Sequence, residues 1–140
     1  MLTAHLRFDI DLLAERLLSV TKWLRENIAI KNFKIGYFGA STGAGAALVA
    51  EAKKHSAYAL VSRGGRPDLA GTYLKQVKAP TLLIVGSKDT FVIDLNKETM
   101  KQIKGCKLEI VEGASHLFEE PGTLEKVAKL AKNWFKKYQK

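Results

Sequence analysis

Three side chains in this sequence, Ser41, Asp89 and His116, have the types and positions that nucleophilic catalysis needs. Ser41 stands in Gly39-Ala40-Ser41-Thr42-Gly43, between an apolar run and an alanine-rich run. A serine on a sharp strand-to-helix turn needs small neighbours, because the backbone folds tightly and the hydroxyl must project above the sheet. Gly39 and Gly43 are expected to supply that room. The Thr42 N–H, at the helix start, is expected to donate to a developing oxyanion. Two other glycine-rich loops are excluded by spacing. A dinucleotide fingerprint requires G-x-G-x-x-G/A, whereas Gly43-Ala44-Gly45-Ala46-Ala47 is followed by Leu48. A phosphate-binding P-loop ends in Gly-Lys-Ser/Thr, which the sequence lacks.

Val85-Gly86-Ser87-Lys88-Asp89 places an acid just past a buried apolar run, and Val111-Glu112-Gly113-Ala114-Ser115-His116 places a histidine after the last strand. Parallel-sheet proteins assemble their sites at these strand ends. In such a set His116 takes the Ser41 proton and returns it to the leaving group, while Asp89 fixes the tautomer and supports the imidazolium. Plainer readings exist for each alone: Asp89 as a helix cap, His116 as a structural loop residue. His5 and His55 have no partner pattern, and three scattered histidines make no metal site. No cofactor is expected. Arg63 and Arg66, after the second strand, are candidates to grip a carboxylate or phosphate of the substrate; surface arginines in a turn are the alternative.

The elements that must position these groups follow from hydrophobic spacing. Residues 8–28 carry Leu12, Leu13, Leu17, Val20, Trp23, Leu24 and Ile28 near helical spacing, opened by Asp9 and Asp11. Strands are predicted over 33–38, 58–62, 81–85 and 107–111, with Thr81 to Val85 apolar enough to be buried on both faces. The last strand partly alternates, as an edge does. Helices are predicted over 44–54, weakly over 69–77, over 93–103, and from Pro121 with Leu124, Val127, Ala131, Trp134, Phe135 and Tyr138 on one face. The order αβαβαβαβα predicts a three-layer αβα fold around a four-stranded parallel sheet, with residues 1–140 as a single domain.

Composition narrows the class. The 140 residues are 46% hydrophobic with a net charge of +9. The charge raises nucleic acid as a partner, but Lys126, Lys129, Lys132, Lys136 and Lys137 fall on the polar face of a helix. No basic stripe is interleaved with stacking aromatics, so nucleic acid is not the expected partner. The charge should still draw anionic substrates over a Debye length of about 10 Å. No apolar run approaches the roughly 20 residues of a membrane span, and the first residues do not read as a signal peptide. Cys106 is the only cysteine, which excludes an intramolecular disulfide and suggests a reducing cytoplasm. It is expected to be inert.

The order Ser, Asp, His is the one α/β-hydrolases use. With Gly36-Tyr37-Phe38-Gly39-Ala40-Ser41-Thr42-Gly43, Ser62-Arg63-Gly64-Gly65-Arg66-Pro67-Asp68-Leu69 and His116-Leu117-Phe118-Glu119-Glu120-Pro121, the chain resembles the dienelactone-hydrolase-like branch of that superfamily, over essentially its whole length. The resemblance implies an esterase of small or lactone-type esters; some relatives are fused to phosphoribosyltransferase domains. Dienelactone hydrolases proper use cysteine where this sequence has Ser41. It further implies the C-terminal half of the fold, a truncated domain lacking about four strands and the loop that gives a second oxyanion donor. The strand bearing Ser41 would then be an open edge, expected to pair with a second copy in a homodimer. The leading expectation is a serine hydrolase working through an acyl-enzyme. The alternatives are a catalytically impaired remnant serving as a self-associating module, and anion or nucleic-acid binding through the basic surface.

Overall fold

A computed structural model of the chain describes residues 2–27, 29, 30 and 32–140, with side chains from Asp9 onward. Ile28 and the side chain of His5 lie outside the described residues. The elements are α1 (Leu2–Glu26), β1 (Tyr37–Ala40), α2 (Thr42–Lys54), β2 (Leu60–Arg63), a 3-10 segment (Pro67–Gln76), β3 (Thr81–Gly86), α3 (Thr90–Met100), β4 (Cys106–Val111) and α4 (Thr123–Tyr138). The four strands pair in parallel in the order β1-β2-β3-β4. The register aligns Tyr37, Leu60, Thr81 and Cys106 in one row. The chain therefore leaves every strand along one common edge of the sheet.

All six residues of β3 are buried, as its apolar run predicts. Its neighbours divide between two cores according to the pleat. Leu60 faces a core built with α2, the 67–76 segment and α1, through Ile10, Ala14, Leu48, Leu69 and Leu74. Ala59, Val61, Leu82, Ile84 and Val111 face the second core against α4, through Val127, Ala131 and Trp134. Burying a side chain of Leu or Ile size contributes about 1.5–3 kcal/mol, so the two sides of β2 and β3 anchor the layers. Polar bonds tie the edges. Trp134 Nε1 donates to the Pro80 carbonyl at 3.2 Å. The carboxylate of Glu51, only 1% exposed, accepts from the Lys78 N–H at 2.9 Å and clamps α2 to the turn before β3.

Several expectations are corrected. α1 starts at Leu2, so Asp9 and Asp11 lie inside it. Its buried side is Ile10, Ala14 and Thr21, with Leu17 and Leu18 partly covered, whereas Leu12, Leu13, Val20 and Trp23 are exposed. The reason is tertiary: α1 packs against α2 and the 67–76 segment rather than across the sheet. A buried Thr21–Tyr37 hydroxyl bond of 2.8 Å fixes its rotation. The first strand is Tyr37–Ala40 rather than 33–38, because pairing with Leu60–Arg63 sets its length; Phe33 and Phe38 are exposed. α3 starts three residues early, directly after Asp89. The 67–76 segment is interrupted at Gly71, with φ 54°. α4 starts at Thr123, and Leu124 points to solvent.

Candidate active site

Ser41, Asp89 and His116 all leave the sheet at its C-terminal edge, after β1, β3 and β4. Ser41 has φ 52° and ψ −124°, a conformation that L-residues rarely adopt. Such backbone costs of order 1–3 kcal/mol and persists only where the surroundings impose it. Here they do. The Ser41 N–H donates to the Arg63 carbonyl at 3.3 Å, and the Ser41 carbonyl accepts from Ala44 N at 3.2 Å and Arg66 N at 3.0 Å. Gly39 permits the sharp turn: a Cβ there would lie 2.6 Å from Ala44 Cα. Gly43 does not have the expected role, since a Cβ at that position would meet nothing within 4 Å.

Serine and aspartate are preferred N-cap residues, and a side-chain cap is worth about 1 kcal/mol. Ser41 occupies the N-cap of α2 and Asp89 that of α3, yet neither side chain caps its helix. Asp89 Oδ2 instead lies 2.7 Å from His116 Nδ1. Asp89 is largely shielded and His116 is two-fifths exposed, so the acid is sheltered and the imidazole opens toward solvent. The capping alternative for Asp89 is thereby set aside. Among the described residues no hydrogen bond joins the Ser41 hydroxyl to His116; in enzymes without substrate this contact is commonly long and tightens on binding.

The histidine loop is braced. Glu120 Oε1 accepts from the Ser115 N–H at 2.9 Å, and this backbone bond holds the Glu120 carboxyl below its ordinary pKa. Gly64, with φ 53°, lies against the ring: a Cβ there would come within 3.3 Å of His116 Nδ1. Phe118, also at positive φ (57°), is buried and offers its ring to the Arg63 guanidinium 5.5 Å from the centroid. Arg66 is engaged elsewhere, in two 2.9 Å bonds to Asp68. The Thr42 N–H belongs to the first turn of α2, where N–H groups lack intrahelical partners and the helix dipole favours negative charge. Beside it a cleft of about 290 Å³ is lined by Thr42, Ile10, Leu12, Leu13 and Arg16.

Gly64, Phe118 and Glu120 carry no spacing signal, since their roles arise only when loops from different strands meet. His55, expected to be without a partner, lies 3.4 Å from Glu51 Oε1. Cys106 is the first residue of β4, and burial pushes its thiol up to about 12, consistent with an inert role. No group of three or more His, Cys, Asp or Glu among the described residues is placed to hold a metal ion. No helix among them is long and apolar enough to cross a membrane.

Known proteins share this fold. A dienelactone hydrolase from Anabaena variabilis superposes with a TM-score of 0.93 and 56% identity, covering 99% of this chain and 65% of that one. Est1E from Butyrivibrio proteoclasticus shares the fold at a TM-score of 0.76 and 18% identity, covering 89% and 68% of the two chains. A protein of Mycobacterium tuberculosis named as a phosphoribosyl transferase is 60% identical over 130 residues, which are 91% of this chain. Those residues make up 29% of the mycobacterial protein, so this chain spans less than a third of that relative's length. Residues 5–139 match the dienelactone hydrolase family, and to that family of α/β-hydrolases the chain belongs.

Proposed function

We propose that the chain hydrolyses carboxylic esters or lactones through an acyl-enzyme on Ser41. The observation that carries this reading is the 2.7 Å Asp89–His116 bond at the same sheet edge as a serine held at positive φ whose side chain caps no helix. His116 accepts the Ser41 proton as Oγ attacks the ester carbonyl. The Thr42 N–H meets the oxyanion. Collapse of the tetrahedral species breaks the C–O bond, and His116 returns the proton to the leaving alkoxide. Water, deprotonated by the same histidine, then releases the acid and restores Ser41. The acid chemistry is supplied by this chain's own side chains.

An anionic substrate suits the site, because Arg63 stands at the end of β2 over the Phe118 ring and has no carboxylate partner among the described residues. Arg66 is the weaker candidate, being already paired with Asp68. Labelling of the folded protein by a fluorophosphonate probe, abolished in Ser41→Ala, tests the reading. A well-folded wild-type sample that takes no label would sink it. Arg63→Ala should raise KM for a carboxylate-bearing ester and leave a neutral ester unchanged.

A second reading, self-association, draws on β1. That strand pairs only with β2 in the described structure, and its own Phe38 is 51% exposed. Unpaired strand edges are templates for pairing with another chain. Two copies joined through β1 would make one continuous eight-stranded sheet with the two serines near its centre.

A further inference from the structure

We propose that Asn96 is a positioning residue for His116, acting through the Gly64–Gly65 turn; the inference rests on the Ser41–Asp89–His116 reading above. Asn96 lies two turns into α3, the helix that starts directly after Asp89, and is fully buried. Its Nδ2 donates twice, to Val92 O of its own helix at 2.8 Å and to Gly65 O of the loop after β2 at 3.2 Å. Its Oδ1 is buried with no hydrogen-bond partner in the protein. A site needing only volume would hold leucine, which has no polar atom of its own to leave unpaired. An amide kept there with one end unsatisfied points to the bonds its other end makes.

The loop it grips bonds the Ser41 backbone, faces the His116 ring and is tied to the strand that leads to Asp89. Arg63 O and Arg66 N bond the backbone of Ser41 on either side of the two glycines. Gly64 N donates to Ile84 O at 2.7 Å, on the strand that leads to Asp89. Gly64 faces the His116 ring, and a methyl added there would come within 3.3 Å of Nδ1. Gly65 has no lateral freedom, since a Cβ there would fall 2.6 Å from Ala44 Cβ and still closer to Ser62 Oγ. A shift of the Gly65 carbonyl would be passed to Gly64, the adjacent residue in the chain and the one that faces the imidazole. Asn96 holds that carbonyl from the helix that carries the aspartate, so one bond couples the acid's helix to the wall behind the base.

The test uses Asn96→Asp, which keeps the shape and replaces the donor by an acceptor, and Asn96→Ala. Misplacement of a catalytic group by about 1 Å can cost on the order of 100-fold. We expect kcat to fall about 10- to 100-fold with KM nearly unchanged, and Ser41 labelling to slow by the same factor. The downfield proton resonance of His116 Nδ1–H bonded to Asp89 should shift or broaden. Folded variants with wild-type kcat and an unchanged His116 resonance, losing only thermal stability, would overturn the inference. If neither Asn96 variant folds, Gly64→Ala approaches from the other end, and an unperturbed His116 resonance in that variant also overturns it. Should the wild type neither label nor turn over esters while the His116 resonance still responds to Asn96→Asp, the hydrolase reading fails and the positioning role stands.

Discussion

Replacing Gly39 by alanine would set a methyl group 2.6 Å from Ala44 Cα, 2.7 Å from Ala44 N and 2.7 Å from the Gly43 carbonyl oxygen. Non-bonded carbon atoms prefer about 3.5–4.0 Å, so the methyl overlaps Ala44 Cα by about 1 Å and also crowds the nitrogen and the oxygen. All three belong to the backbone of the first turn of α2, and no rotamer change relieves them. Overpacking costs about 1–3 kcal/mol where side chains can yield, which places Gly39→Ala at the top of that range, near 3 kcal/mol. With a urea m-value of about 1–3 kcal/mol/M, the midpoint should drop by roughly 1–3 M. Gly43→Ala is the matched control, because its methyl meets nothing within 4 Å and its position inside α2 favours alanine by up to about 1 kcal/mol. Urea titration of both variants by circular dichroism measures the contrast. A Gly39→Ala midpoint within error of wild type, or a Gly43→Ala loss as large as that of Gly39→Ala, would refute the close-approach reasoning.

Burial pushes the Cys106 thiol from 9.0 to about 12, so at pH 8 its thiolate is about 1,000-fold scarcer than in the unfolded chain, and maleimide labelling should slow accordingly. A thiol with a raised folded pKa leaves stability intact below the unfolded value and loses it as pH rises from about 9 toward 12; alkaline titration of Cys106→Ala should remove that loss. Glu120 has the opposite sign: its lowered pKa gives a stabilising contribution present above 4.5 and lost as pH falls through the folded value. The protection factor of the Ser115 amide should fall there, and in Glu120→Ala it should be low at every pH. For the β1 edge, Phe38→Lys should convert a dimer to monomers in light scattering at micromolar concentration; a wild type already monomeric would remove the self-association reading.

The layers of this protein were legible in its sequence because each strand and helix carries its own burial pattern. The apolar run Thr81 to Val85 read as a strand buried on both faces and is one, and the helical spacing from Leu124 to Tyr138 read as one face, of which Val127, Ala131 and Trp134 are buried and Leu124 is not. The placement of Ser41, Asp89 and His116 at one sheet edge was legible for a related reason: each follows a recognisable strand, and parallel strands in register bring their C-terminal ends together. The limits of β1 and the buried side of α1 were not. Both depend on what lies alongside, the short ladder to Leu60–Arg63 and the packing on α2, and local hydrophobicity is blind to the neighbour. The same holds for Gly64, Phe118, Glu120 and Asn96, whose partners lie on other elements. Residue type and spacing determined which groups could react; only tertiary structure decided which backbone and side chains hold them, because those contacts join segments that the sequence keeps apart.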